Sequence, residues 1–597
     1  MKVSDYIAKR LVDYGVRDVF MITGGGAMHL NDSVGNHPEL HVTYHHHEQA
    51  ASIAAEGYFR VSGKPAAVLV TTGPGGTNAI TGLLGQWTDS IPAIYISGQV
   101  KQATTIASCP EWGVRQLGDQ EVDIISVVRP LTKYAKTVTQ PLEIKQMMDT
   151  AWRIATTGRM GPVWIDVPMD IQGAIIDEEK LMESDEMVKN VLVNVKEAEI
   201  HQVIELLTQA KRPVLLAGHG IRLAGAQGDF LHLIEQLGIP VLSTFNGFDL
   251  IPSNHPLYVG RIGTIGDRAG NFALQNADLL LSIGSRNNIR QVSYDWSTYA
   301  RHAKKIVVDI DEAELKKPTV KPDLPIHADA GHFIRRLQAL LQNITLPDWQ
   351  WWREWTQTRK MNYPVVLTEY ETIESMVHPY YFIKQLTDHL SNDAVVVAGN
   401  GTACVVLFQA GIVKKGQRIF WNSGNAAMGY DVPASIGASI ATGNGEVICV
   451  TGDGSLQMNL QEFATVMHNQ LPIKFIVLNN GGYLSIRQTQ TNYFNGRYVG
   501  CDENSGISFP DLSKIASAYG FPYFRIDSHQ GLDQQVANIL SIQGPVVCEV
   551  MLTSEYTFSP KLSSEKLPDG RMISKPLEDM YPFLTTEELA SNMLYTE

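Results

Sequence analysis

Three times along its 597 residues the chain passes from a short β-rich apolar run into a glycine-rich turn and then a helical pattern. In the first third, Asp18-Val19-Phe20-Met21-Ile22 leads into Gly24-Gly25-Gly26, and Ala67-Val68-Leu69-Val70 into Gly73-Pro74-Gly75-Gly76. Further apolar runs occupy 93–96 and 163–167. Runs of this kind separated by helical stretches predict parallel βαβ units, because a parallel neighbour requires a long crossover. A second set lies at 213–216, 279–283 and 306–310, and a third at 394–397, 447–450 and 473–478. The expected fold is α/β: three doubly wound parallel-sheet domains over 1–175, 195–345 and 370–555, with a C-terminal tail over 556–597. The third unit resembles the first in plan but not in sequence. The acidic stretch 176–195 reads as a linker, and the Trp-rich segment 349–355 reads as the lead into the third unit.

Such a length is too great for one core. A net charge of −14 with no basic block argues against nucleic acid or an anionic membrane as partner. The uncharged stretch 65–88 is too rich in Gly and Thr to span a bilayer, and Met1-Lys2-Val3-Ser4-Asp5-Tyr6 lacks a signal-type apolar core. The five cysteines are odd in number and without CxxC spacing, so neither a disulfide frame nor a zinc site is expected. These features predict a soluble cytoplasmic protein.

None of the three glycine turns completes a dinucleotide fingerprint. His29, Asn78 and Gln457 stand where its third glycine would permit close helix–strand packing. The turns still suit anion or cofactor contact, since each opens a helix N-terminus. Asp453 follows the run 447–450 between Gly452 and Gly454, and Asn480 closes the run 473–478. A crossover helix over 459–469 would bring both oxygens to one sheet edge, where parallel sheets bind ligands, and hard oxygens suit Mg²⁺. Taken alone, either half reads more readily as a Gly-Asp turn or an Asn cap. Glu48 follows His45-His46-His47 and begins an Ala-rich helix, where a glutamate commonly just offsets the helix dipole. The three histidines do not read as a metal cluster, because successive strand residues face opposite ways.

Together these segments resemble the thiamine diphosphate (ThDP)-dependent decarboxylases and carboligases, nearest the acetohydroxyacid (acetolactate) synthases, over about residues 1 to 555. The resemblance rests on His47-Glu48-Gln49, Ala55-Glu56-Gly57-Tyr58, Thr72-Gly73-Pro74-Gly75 with Asn78, Ser97-Gly98-Gln99-Val100, Gly284-Ser285-Arg286, Ala427-Met428-Gly429, and the motif from Gly452 to Asn480. It implies pyrimidine-binding, middle and diphosphate-binding domains in that order. It also implies that Glu48 bonds N1′ of the cofactor's aminopyrimidine and promotes its imino tautomer, with Gly25 and Gln120 as further catalytic residues. Thr72, Pro74, Asn78, Asn400, Met428, Gly452, Gly454 and Ser455 would hold the cofactor, and Asp453, Asn480 and the Gly482 carbonyl would hold Mg²⁺. The first domain of one subunit would face the third of another, so a homodimer or a dimer of dimers is expected.

The reaction so implied decarboxylates a 2-keto acid, with pyruvate the expected donor, and transfers the acyl unit to a carbonyl acceptor. The alternative on the same machinery is a decarboxylase or C–C lyase without ligation. Gln120 and Arg290 match family residues near the substrate. Asp119 and Thr489 replace an aromatic residue and a tryptophan of the synthases, which suits a hydroxylated acceptor such as a keto-sugar. The resemblance makes the middle domain a candidate FAD site, but the synthases' Arg-Phe-Asp-Asp-Arg segment here reads Arg286-Asn287-Asn288-Ile289-Arg290, which counts against FAD there. In the tail, the apolar positions 577, 580, 581, 583 and 584 predict docking, either as a lid with the polar run 561–571 at the active-site mouth or as an interface strap.

Overall fold

In the computed structural model, which describes all residues except 184–192, 374–375, 554, 567–568, 570 and 596–597, the apolar runs become strands of three six-stranded parallel sheets. Residues 184–192 of the expected linker and part of the polar run 561–571 lie outside the described residues. The first sheet comprises β1 (Asp18–Met21), β2 (His41–Tyr44), β3 (Ala67–Val70), β4 (Ile94–Gln99), β5 (Tyr134–Thr137) and β6 (Val163–Pro168), in the order β2-β1-β3-β4-β6-β5. The second comprises β7 (Pro213–Ala217), β8 (Val241–Ser243), β9 (Tyr258–Arg261), β10 (Leu279–Ile283), β11 (Lys304–Asp309) and β12 (Leu324–His327), ordered β12-β11-β10-β7-β8-β9. The third comprises β13 (Val395–Ala398), β14 (Arg418–Phe420), β15 (Val447–Gly452), β16 (Ile473–Asn479), β17 (Tyr523–Ile526) and β18 (Val546–Met551), ordered β14-β13-β15-β16-β18-β17.

The first and third sheets share one strand order. The middle sheet, counted from β9, follows the order 3-2-1-4-5-6 of dinucleotide-binding folds. In every sheet the winding reverses between two adjacent central strands, β1 and β3, β7 and β10, or β13 and β15. Loops diverge there at the strands' C-terminal ends and leave a crevice.

The first and third domains meet where the helix Glu48–Ser62 crosses the helix Asp431–Ala441. Only glycine allows so close a crossing: a Cβ on Gly57 would stand 2.1 Å from the Ala434 carbonyl oxygen, and one on Gly437 1.8 Å from that of Ala54. Beside this crossing, buried charges tie all three domains. Arg60 binds Glu56 (2.8 Å) and Asp89 (2.6 Å), Asn422 and Tyr430 donate to Glu56, and Arg418 donates to Asp249 at 2.6 Å. Removing one member of such a set leaves an uncompensated buried charge, which costs several kcal/mol.

The Trp-rich segment does more than connect. Trp349, Trp352 and Trp355 are buried in the middle domain's core, and Trp349 and Trp352 donate to the carbonyls of Ala210 and Pro213. The tail docks on that same domain. Leu577 and Met580 are fully buried, Glu578 pairs with Arg301 at 2.8 Å and accepts from Gln275, and Arg268 donates to the carbonyls of Met580 and Pro582. Tyr581 and Phe583 stay exposed, so only part of the expected apolar patch is covered. Among the described residues no helix is long and apolar enough to cross a membrane.

Candidate active site

After β2 the three histidines turn the chain into the helix Glu48–Ser62, and each has a task in that turn. The buried His45 places Nδ1 2.8 Å from Glu462 Oε2, the His46 amide donates to Glu462 Oε1, and His47 Nδ1 caps the helix by accepting from the Gln49 amide. Asn459 donates to Gln49 Oε1 (3.0 Å) and to the Gly429 carbonyl (2.7 Å), so two side chains of the third domain fix where Glu48 begins.

Glu48 Oε2 accepts Asn78 Nδ2 at 3.0 Å. The turn after β3 passes close by. Gln120 lies against that turn with φ at +61°, and a Cβ on Gly73 would meet the Gln120 carbonyl oxygen at 2.1 Å. The structure therefore brings Glu48, Asn78, Pro74 and Gln120 to one place. Glu121 instead braces its own loop, accepting from the amides of Ile106, Leu117 and Gly118. Thr72 Oγ1 is buried without a partner, whereas Gly25, exposed after β1, has open space where a Cβ would project. Asp119 is exposed.

The second cluster forms where β15 and β16 end side by side, with Gly452 opposite Leu478. Asp453 is buried, and its two oxygens accept the amides of Gly454 (2.8 Å) and Gly482 (2.9 Å). Burial pushes its carboxyl up to about 6, against the backbone amides that favour the ionised form. Gly482 has φ at +134°, and a Cβ there would stand 2.1 Å from the Cys501 carbonyl oxygen. Asn480 donates Nδ2 to Thr402 Oγ1 at 3.3 Å, while its Oδ1 is buried with no partner among the described residues. A buried acceptor left open beside a carboxylate is a donor set that fits a hard divalent cation.

Around this pair, Asn400 follows β13 and donates to the Ala427 carbonyl at 2.7 Å, holding the turn that carries Met428. Ser455 Oγ accepts the Gly429 amide, and a Cβ on Gly454 would strike the Tyr483 ring at 2.2 Å. Thr489 is exposed, its hydroxyl bonded back to the Ser485 carbonyl. Arg290 lies on the middle domain with its guanidinium 5.2 Å from the centre of the Phe245 ring. The Glu48 and Asp453 clusters share no hydrogen bond with each other among the described residues of one chain.

A third feature is a cavity of ≈ 660 Å³ at the reversal point of the middle sheet, in the domain where the sequence placed a candidate FAD site. His219-Gly220 after β7 and Gly284-Ser285-Arg286 after β10 line it, together with Asp309, Asp329, and Asp89 and Arg159 of the first domain. A Cβ on Gly218 would stand 2.2 Å from the Gly284 carbonyl oxygen. Both ring nitrogens of His219 are shielded and unpartnered. Burial, and then the nearby cations Arg60, Arg418 and Arg222, hold this histidine neutral.

Known proteins match this arrangement along nearly its whole length. The models of the thiamine pyrophosphate enzyme N-terminal TPP binding domain, central domain and C-terminal TPP binding domain match residues 1–126, 200–337 and 399–550. The probable acetolactate synthase large subunit of Methanocaldococcus jannaschii is 32% identical over 565 residues, 92% of each chain.

The chain belongs to the thiamine pyrophosphate enzyme family.

Two further relatives carry the same description. The acetolactate synthase isozyme 2 large subunit of Escherichia coli is 32% identical over 580 residues, 97% of this chain and 100% of its own. The acetolactate synthase large subunit of Lactococcus lactis is 31% identical over 571 residues, 94% of each. This is an acetolactate synthase-like, ThDP-dependent enzyme. The expected edges of its first and third sheets carry the two polar clusters.

Proposed function

We propose that this enzyme is a Mg²⁺-dependent carboligase that takes an acyl unit from a 2-keto acid, pyruvate as donor, and joins it to a polar carbonyl acceptor of the keto-sugar class. One observation carries the cofactor assignment: Asn480 Oδ1 is buried and unpartnered beside Asp453, with Gly482 closing the third side. These groups would hold Mg²⁺ on the cofactor's diphosphate, and Met428, Asn400, Thr72, Pro74 and Asn78 would hold its organic part. Bound ThDP supplies the electron sink for decarboxylation. Glu48 would hold the proton at a ring nitrogen, since Asn78 already directs one carboxylate oxygen and leaves the other free. Gln120 and Gly25 would border the reacting atoms, and Arg290 would receive the acceptor's anionic group. The polar, exposed Asp119 and Thr489 favour a hydroxylated acceptor over a small aliphatic one.

The two clusters lie on different sheets, and among the described residues of one chain neither Glu48 nor Asn78 bonds to Asp453 or Asn480, which supports an active site assembled from two copies. Exposed Met28, Tyr44 and Trp87 on the first domain and Met458 and Ile486 on the third supply apolar surface for such a pairing. The middle cavity lies at the reversal point of its sheet, the position of a nucleotide site in such folds, beside two glycine turns that pack against each other. Asn287 and Asn288, both in its lining, belong to the segment that departs from the synthases, which counts against FAD there. Release of the bound nucleotide by heat, followed by absorbance, distinguishes an adenine nucleotide from a flavin.

The deciding experiment is mass spectrometry of the products from pyruvate with a panel of keto-acid, aldehyde and nucleotide-keto-sugar acceptors. A ligated sugar product supports the proposal, and free acetaldehyde alone replaces it with a lyase. Glu48→Gln should reduce turnover by roughly 10²–10⁴-fold with the fold intact, the range of acid–base groups. Mixing Glu48→Gln with Asp453→Ala subunits should restore activity at one site of each mixed pair. A mixture that stays inactive would place both clusters in one chain's site.

A further inference from the structure

Tyr556 opens the C-terminal tail, yet it is buried in the third domain among Val377, Tyr380 and Phe558. Its hydroxyl lies 2.9 Å from Thr402 Oγ1, the same oxygen that accepts Asn480 Nδ2. Thr402 is buried at the start of the helix Thr402–Ala410, two residues after Asn400. Gln488 Nε2 donates to the Tyr556 carbonyl at 3.3 Å, and Arg487 donates to the Asn480 carbonyl at 2.6 Å. Tyrosine, threonine and asparagine thus form a short polar chain that ends at the open oxygen of the proposed metal ligand.

An asparagine amide has two unlike ends. Turned over, Asn480 would aim two N–H groups at the cation in place of an oxygen. A lone threonine hydroxyl cannot prevent this, because it donates to Oδ1 as readily as it accepts from Nδ2. The Tyr556 hydroxyl, 2.9 Å from the Thr402 oxygen, offers Thr402 a second acceptor, and when Thr402 donates there its lone pair faces Nδ2.

We propose that Tyr556, acting through Thr402, is a positioning residue that keeps the Asn480 amide oxygen turned toward the divalent cation. The inference rests on Asp453 and Asn480 being the metal ligands. It also gives the root of the tail a function. The segment after Tyr556 is held in the third domain by Tyr380 at the Ser559 amide and by Gln409 at the Pro560 carbonyl, and it reaches the middle domain where the Leu562 amide donates to the Thr264 carbonyl. The geometry of the metal ligand is therefore set from the segment that ties the third domain to the middle one.

Tyr556→Phe removes one oxygen and keeps the ring. The test titrates Mg²⁺ at fixed ThDP, reads cofactor binding by quenching of protein fluorescence, and records the melting point of each metal-free protein. The half-saturating Mg²⁺ concentration should rise roughly tenfold or more in Tyr556→Phe and in Thr402→Val, as when groups behind a metal ligand are lost. Thr402→Ser should behave like the parent, and the metal-free melting point of Tyr556→Phe should match it. Unchanged half-saturation in Tyr556→Phe overturns the inference. So does a metal-free melting point that falls in step with the metal defect, which marks a packing role. A parent protein that binds ThDP without Mg²⁺ removes the metal assignment itself, and the inference with it.

Discussion

Asp166 in the first domain and Asp453 in the third are both buried carboxylates at the C-terminal ends of parallel strands, and burial raises both, to about 7 and about 6. Their electrostatics alone would mark either as a site. Their partners differ. Asp166 is filled by side chains: Ser97 donates at 2.6 Å, Gln99 at 3.2 Å and Thr137 at 3.3 Å. The acceptors around it are used as well, Ser97 Oγ by Trp164 and Gln99 Oε1 by the Val100 amide. Asp453 is held by backbone amides at two glycines that tolerate no side chain, and the oxygen next to it has no partner. A raised carboxyl thus reports burial, whereas an unused buried acceptor reports room for a ligand.

Substitution of each carboxylate can break that contrast. The largest effect is expected for Asp453→Ala, which should raise the half-saturating Mg²⁺ for ThDP binding by at least about 100-fold, the upper range for perturbed metal sites, and lose the cofactor on desalting. Asp166→Asn should leave this titration unchanged. Equal loss in both would make Asp166 part of the site.

The Asp166 carboxyl gives an intermediate effect through pH. Between about 4 and 7 the folded protein keeps a proton that the unfolded chain has released, so its contribution to stability falls as pH rises and levels off above 7. Asparagine cannot titrate. The stability of Asp166→Asn relative to the parent should therefore increase by about 2–3 kcal/mol from pH 5 to pH 8, read by denaturant melts at each pH. A difference independent of pH would mean that the parent's carboxyl is not raised.

The smallest effect concerns the half-exposed cluster. Asn78→Ala should change stability by no more than about 0.5 kcal/mol, as for most exposed positions. A larger loss would show that the surroundings of Glu48 are built as rigidly as those of Asp453.

Much of the fold was legible because a strand buried on both faces must be continuously apolar. The ten runs read from sequence are all strands here. All six edge strands, β2, β5, β9, β12, β14 and β17, escaped that reading, along with β8 and β18. Four of the edges are half-exposed and carry polar residues that a one-sided environment permits. The middle domain's strand order was not legible either, since order depends on which edges helices cover rather than on any local pattern.

In the sites, the sequence by itself determined the local parts. Gly452-Asp453-Gly454 after an apolar run, and Asn480 closing the next, place two oxygens at adjacent strand ends, because strand, turn and crossover lengths are set by local periodicity. Glu48 at a helix start follows in the same way. Tertiary structure alone decided which remote groups hold these parts: Glu462 under His45, Asn459 under Gln49, and Tyr556 behind Thr402 and Asn480. Those partners stand 417, 410 and 154 residues away in the chain. No periodicity extends that far, and only the burial that removes water makes a polar group depend on one distant neighbour.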